Sequence, residues 1–279
     1  MLKRKLALRT AELSEAHPKK APMSEETTSA LFAQPPWQQF YNIEVSLNET
    51  LETFATPPTI SCTYNPVEYA SSLHCAYLRR FLDGPKRVMF IGMNPGPTGI
   101  AQTGIPFGNV RTVSELMEIS GEVGRPPIIH PKRPVVGLQC KTEERSGVRL
   151  WELFLRLAGG RLDTFSRQCF VHNFCPLAFF DAAGKNITPT ELKGPYKQKI
   201  RDVCLDALEK QLQIVRPQVV VAVGDYVYQT LKRSEYCKAV SLLRLAHPSP
   251  RSVNNTNWPE KAQEFLEQHG LIQFMRNEV

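Results

Sequence analysis

Arg87-Val88-Met89-Phe90-Ile91-Gly92-Met93-Asn94-Pro95-Gly96-Pro97 begins as an apolar run and ends in a turn that two prolines stiffen and glycines loosen. Arg87 to Ile91 reads as a short buried strand. About 150 residues later, Val240 to Ala246 reads as another short buried strand, and His247-Pro248-Ser249-Pro250-Arg251-Ser252 follows it. Between them, Val219-Val220-Val221-Ala222-Val223 is the continuous apolar, mostly β-branched run of a strand covered on both faces in a parallel sheet. In open α/β sheets, ligands bind outside the carboxyl ends of the strands. The chain therefore places an amide, Asn94, and an imidazole, His247, at one rim.

Outward from these runs, strands alternate with helices. Asn65-Pro66 starts a helix, with proline at the first helical position, and Asp83-Gly84-Pro85 ends it after Leu82. A helix is predicted over Thr112 to Ile119, a long surface loop over 121–145, and a helix from Gly147 to Ala158 that stops at Gly159-Gly160. Gln168 to Phe174 reads as a strand. Ile200, Val203, Ala207, Leu208, Leu212 and Val215 recur at steps of three and four, so Thr190 to Val215 reads as mostly helical, closed by Pro217. Gly224-Asp225 turns into another helix, and a last one runs from about Pro259 to His269 and ends at Gly270. The alternation predicts an α/β fold with a parallel sheet and helices on both sides.

Composition bounds the function. The chain has 279 residues, 42% of them hydrophobic, enough for a sizeable core. No apolar stretch approaches the roughly 18 residues of a membrane span, so no membrane partner is predicted. The net charge of +7 and the pI near 9.0 suit an anionic partner such as nucleic acid. Seven cysteines, an odd number in a chain with no secretory signal, argue for a reducing compartment rather than a disulfide framework. Residues 1–35 read as a polar, poorly ordered tail, and 36–279 as a single domain. Lys3-Arg4-Lys5 in that tail suits nuclear import, DNA contact or simple solvation, and Glu12 and Glu15 argue against a mitochondrial presequence. Cys169, His172 and Cys175 lie close in sequence, but alternation along a strand turns them to different faces, so no metal site is assigned.

The residues that carry chemistry stand at strand ends. Asn94 can hold a water in one orientation, because an amide offers a donor and an acceptor; satisfying its own turn is the alternative. Phe107, in Ile105-Pro106-Phe107-Gly108, can stack on a planar ring or belong to the core. Asn173, in His172-Asn173-Phe174-Cys175-Pro176-Leu177, can read a pyrimidine edge or bond nearby backbone, while His172 faces the other way as a core or supporting histidine. His247 sits in a turn that its prolines keep from becoming helix, with Arg251 at the tip. His17, His74, His130 and His269 have no evident partner. Lys132, Arg133, Lys141, Arg145, Lys193, Lys197, Lys199 and Arg201 are scattered basic residues, suited to a DNA track or to solvated surface. No phosphate loop, dinucleotide fingerprint, nucleophile elbow or metal-binding signature occurs, so no cofactor is predicted.

Taken together, four segments resemble the uracil-DNA glycosylase superfamily, in particular its single-strand-selective monofunctional branch. They are Gly92 to Pro97, Ala101-Gln102-Thr103-Gly104-Ile105-Pro106-Phe107-Gly108, Val171 to Leu177, and His247 to Arg251. Weaker similarity runs from about Tyr64 to Gly270. The resemblance implies a three-layer α/β/α fold with a central, mainly parallel sheet. It implies a nuclear, monomeric, base-excision repair enzyme that flips uracil and 5-substituted uracils, such as 5-hydroxymethyluracil, from single- or double-stranded DNA. The glycosidic bond is hydrolysed to leave an abasic site, without metal or lyase step.

By the same resemblance, Asn94 positions the attacking water and His247 hydrogen-bonds the base O2 as charge develops. Phe107 stacks on the base and Asn173 reads its edge. Met93 and the segment containing Gly96, Pro97 and Ile100 line the pocket, the latter near the base C5. Ser249, Pro250, Arg251 and Ser252 form the DNA wedge. Two features depart from the branch: Thr98 and Ile100 stand where Phe and Met are expected, and Ser252 to Asn257 lacks the expected proline and lysine. A mismatch-specific U/T glycosylase would show itself by dependence on the opposing base, and a DNA-binding module without catalysis by failure to form abasic sites.

Overall fold

The computed structural model describes residues 33–251 and 255–278, so the tail expected over 1–35 falls almost wholly outside the described residues. Seven strands occur among those residues: β1 Cys62–Tyr64, β2 Val88–Gly92, β3 Cys169–Asn173, β4 Ala178–Phe180, β5 Asn186–Ile187, β6 Val219–Val223 and β7 Ser241–Leu245. Four of them form a parallel sheet in the order β3-β2-β6-β7. The chain leaves β2 for the neighbour on one side and later returns to the neighbour on the other. That reversal opens a crevice at the carboxyl end of the sheet.

Burial follows the apolar runs. Every residue of β2 and β3 is buried, as is β6 after Val219. Helix Pro36–Glu52 packs on Gly194–Val215, and Arg145–Leu157 packs with Leu162–Gln168, Trp258–Gln268 and Ile272–Met275. The result is the α/β/α sandwich that the alternation implies. Its core joins sheet residues such as Phe90, Phe170 and Val221 to helix residues such as Trp151, Phe154 and Leu212.

Several expectations need correction. β7 is not a buried strand: among the described residues it is a sheet edge bonded only to β6, and of its residues only Leu245 is buried. The helix predicted from Asn65 to Leu82 is two helices, Pro66–Tyr69 and Ser71–Phe81. It breaks at Ala70, because the Tyr69 carbonyl accepts the Gly124 N–H at 2.8 Å instead of serving the next turn. Only a π-helical turn, Thr112–Leu116, forms where Thr112 to Ile119 was predicted helical. The long helix begins at Gly194, not Thr190, since Glu191 folds back to accept from the Thr188 backbone at 2.9 Å.

Several features escape the sequence pattern. Among them are the helices Pro36–Glu52, Leu162–Gln168, Glu235–Ala239 and Ile272–Met275. Another is a small antiparallel sheet ordered β1-β4-β5. Its strands have two or three residues each, too short to show a period of two.

Candidate active site

The rim of the parallel sheet opens into a cavity of about 1000 Å³. Asn94, Met93, Gly96, Pro97, Thr98 and Ile100 line it from the turn after β2. Phe107 and Asn173 form further wall, and His247, Ser249, Pro250 and Arg251 come from the turn after β7. The structure thus brings together the residues singled out in the sequence except Ser252, which lies outside the described residues.

Asn94 is held by one end. Its Nδ2 donates to the Leu177 carbonyl at 3.1 Å, which leaves Oδ1 as an acceptor. Backbone bonds between the Met93 and Cys175 positions, at 2.9 Å, and between Gly92 and Phe174, at 2.8 Å, extend the β2–β3 ladder into the site. In that ladder Gly92 pairs with Asn173. The Asn173 Oδ1 is buried and has no hydrogen-bond partner among the described residues. A methyl on Gly92 would overlap that oxygen and would come within 2.5 and 2.7 Å of two Phe107 ring carbons. The missing side chain of Gly92 is therefore what lets the amide and the ring share one wall.

Phe107 adopts a left-handed backbone, with φ of 56°, which is strained for a residue with a large side chain. Its surroundings enforce the conformation. Thr103 Oγ1 donates to the Gly108 carbonyl at 2.7 Å, and the Trp151 indole N–H donates to the Pro106 carbonyl at 3.1 Å. A Cβ on Gly147 would overlap the Phe107 carbonyl, so the helix Arg145–Leu157 closes directly on this turn. The Phe107 and His247 rings lie 6.1 Å apart.

His74, without evident partner in the sequence, supports the same turn. Its Nδ1 donates to the Gly104 carbonyl at 2.7 Å, and its Nε2 meets Glu44 at 2.8 Å. Burial pushes the His74 pKa down, but the Glu44 charge and these hydrogen bonds outweigh it and leave the pKa raised. His172 sits behind Asn173, facing the other way as predicted. Burial lowers its pKa to about 4, so the ring is neutral and its 4.0 Å approach to Glu44 is not an ion pair.

His247 is also desolvated, with its pKa lowered to about 4. Its Nδ1 accepts the Ser249 N–H at 3.1 Å. A neutral imidazole that accepts at Nδ1 carries its proton on Nε2, so Nε2 is the free donor. The turn itself is braced. Asn255 Nδ2 donates to the His247 and Ser249 carbonyls at 2.8 and 2.7 Å, and the Trp258 indole donates to Ala246 at 2.7 Å. Arg251 stands exposed beyond these braces.

The sequence reading missed part of the cavity. Thr142, Glu143, Glu144 and Ser146 belong to a stretch it treated as surface loop or helix start, and Lys185, Asn186, Thr188 and Glu191 lie in or beside β5 of the short second sheet. Of the basic residues named there, Arg133 and Arg145 line the cavity, while Lys132, Lys141 and Lys193 are exposed surface. Glu144 had one legible signal: it directly precedes an amphipathic helix, at the capping position. Burial raises its pKa to about 7.

Comparison with known proteins shows the family. The sequence profile of the uracil DNA glycosylase superfamily matches residues 80–268. The single-strand selective monofunctional uracil-DNA glycosylase of Rattus norvegicus is 42% identical over 242 residues, covering 86% of this chain and 87% of its own length. The Bos taurus protein of that name is 43% identical over 236 residues, covering 84% and 86%. In fold, the crystal structure of SMUG2 from Pedobacter heparinus matches with a TM-score of 0.56 at 20% identity, over 83% of this chain and 98% of that one. An α/β/α sheet with these strand-end motifs, matched along most of its length by such relatives, belongs to the uracil-DNA glycosylase superfamily, in its single-strand-selective monofunctional branch.

Proposed function

We propose that this chain hydrolyses the N-glycosidic bond of uracil flipped out of DNA and leaves an abasic site. We extend its substrates to 5-substituted uracils such as 5-hydroxymethyluracil, in single and double strands. Extruding a base costs a few kcal/mol, least from a single strand. In the pocket, Phe107 stacks on the ring, and the Asn173 amide pairs its acceptor with N3–H and its donor with O4. Cytosine carries the opposite pattern at those two atoms and is refused.

The bond breaks with the sugar oxocarbenium-like and the base anionic. His247 Nε2–H faces the base O2 and stabilises the departing charge, and a preorganised donor of this kind contributes roughly 3–4 kcal/mol. Asn94 Oδ1 accepts from the attacking water and orients it. Thr98 and Ile100 border the C5 side, and Arg251 with its neighbours fills the gap left in a duplex. DNA as substrate and the Lys3-Arg4-Lys5 cluster support a nuclear location. The described residues of the site all belong to one compact unit, which supports action as a monomer.

One observation carries the reading: Asn94 and His247 line one cavity, each tied to backbone by one atom so that an acceptor and a donor stay free. The test is incubation with oligonucleotides bearing uracil, 5-hydroxymethyluracil or cytosine, single-stranded and paired with A or G, followed by alkali cleavage. Cleavage at both uracils in both strand forms, and none at cytosine, supports the proposal. Cleavage confined to pairs with guanine would point to a mismatch glycosylase instead, and binding without cleavage to a DNA-binding module.

A further inference from the structure

Glu144 lines the cavity with Asn94, Phe107, Asn173 and His247, yet none of the steps above uses it. It caps the helix Arg145–Leu157, with Oε2 accepting the Gly147 N–H at 3.1 Å. It also lies against the turn that carries Asn94. A Cβ on Gly99 would meet its Oε2 at 3.0 Å, and one on Gly96 would meet its Oε1 at 3.8 Å. Capping alone does not account for this residue. Ser, Thr, Asp and Asn are the preferred caps, and this longer side chain reaches past the capping bond to border the cavity.

We propose that Glu144 is the proton acceptor of the excision step, taking the proton from the water that Asn94 orients. An amide is not a base near neutral pH, so Asn94 can aim the water but cannot deprotonate it. The step balances as follows. The C1′–N1 bond breaks, and its electron pair leaves on the base as the uracil anion, held by the His247 Nε2–H. The water oxygen bonds to C1′, its proton passes to the Glu144 carboxylate and then to solvent, and the sugar becomes the hemiacetal of an abasic site. The same negative charge faces the sugar as it turns cationic. The assignment rests on the reaction proposed above.

The other ionisable groups around the cavity are Arg133, Arg145, Lys185 and Arg251, the acids Glu143 and Glu191, and His247. Burial displaces His247 to about 4, and the Lys185–Glu191 pair raises the lysine and lowers the glutamate. Desolvation moves Glu144 the opposite way from His247, to about 7. Excision that needs the ionised carboxylate therefore falls about tenfold per pH unit below about 7 and levels off above it.

The experiment uses the full chain and a single-stranded uracil oligonucleotide under single turnover from pH 5.5 to 9. Glu144→Gln and Glu144→Ser both keep an oxygen that can accept the Gly147 N–H and lose the charge. In variants that melt cooperatively, the expected result is a loss of a hundredfold or more at pH 8, a flat pH profile, and unchanged affinity for an oligonucleotide with a non-hydrolysable abasic analogue. Three results would overturn the assignment: wild-type rates in either variant, which leave Glu144 a cap; slow variants that keep the wild-type pH dependence, which place the base elsewhere; or weakened binding with a normal rate at saturation. Wild-type protein that excises no uracil at all would reject the reaction itself, a result distinct from these.

Discussion

Gly92→Ala tests whether the amide and the ring occupy one wall as the structure requires. The new methyl would overlap Asn173 Oδ1 and come within 2.5 Å of the Phe107 ring. Carbon atoms rest at about 3.5–4.0 Å from one another, so one group must retreat by roughly 1 Å. Neither has an easy path. Phe107 is clamped by Thr103, Trp151 and Gly147, and Asn173 ends a strand buried at every residue. Displacing a positioning group by about 1 Å loses on the order of a hundredfold in rate, or about 2.7 kcal/mol. Overpacking of this kind destabilises the fold by about 1–3 kcal/mol, a Tm decrease of roughly 2–12 °C, which leaves the protein folded at 25 °C. The assay is single-turnover excision of uracil from a single-stranded oligonucleotide at 25 °C, with melting followed by circular dichroism. A variant within threefold of the wild-type rate, with an unchanged melting temperature, would refute the packing argument.

Other outcomes follow from the same geometry. His247→Ala loses a hundredfold or more in the excision rate while its melting remains cooperative, since it removes the free Nε2 donor; near-wild-type single-turnover rates would reject that role. Asn94→Ala slows excision at saturating enzyme more than it weakens binding, as shown by comparing rate with affinity for uracil-containing DNA. Arg251→Ala slows excision from duplexes more than from single strands, where no gap has to be held open; equal losses across a salt series would leave it a phosphate contact. His172 is buried with its pKa near 4, below the roughly 6.5 of the unfolded chain, so the unfolded state binds more protons between those values. Its contribution is full above about pH 6.5 and falls by about 3 kcal/mol as pH drops toward 4. The raised Glu144 acts in the opposite sense between about pH 7 and 4.5, so the test is comparative. The melting temperature of His172→Gln falls less than that of wild type between pH 6.5 and 4.5, and parallel melting curves would contradict the assignment of a buried neutral ring.

Much of this molecule is legible in its sequence because its information is local. The apolar runs of β2, β3 and β6 are strong enough to mark buried parallel strands, and glycines and prolines mark where those strands stop. A ligand rim at strand ends follows from the α/β alternation, so Asn94, Asn173 and His247 could be named from the chain alone. Folding decided the rest. Whether Val240 to Ala246 was central or at an edge depended on how many neighbours the strand acquired, which its composition does not state. The tie from Glu44 to His74 to Gly104 joins residues about 30 apart at each step, and no local pattern signals it. Glu144 reads as an ordinary helix start until the turn after β2 folds against it. Strand periodicity and turn chemistry are properties of neighbouring residues, but desolvation, the free atom of each amide and imidazole, and the charge inside a cavity exist only once distant segments close around them.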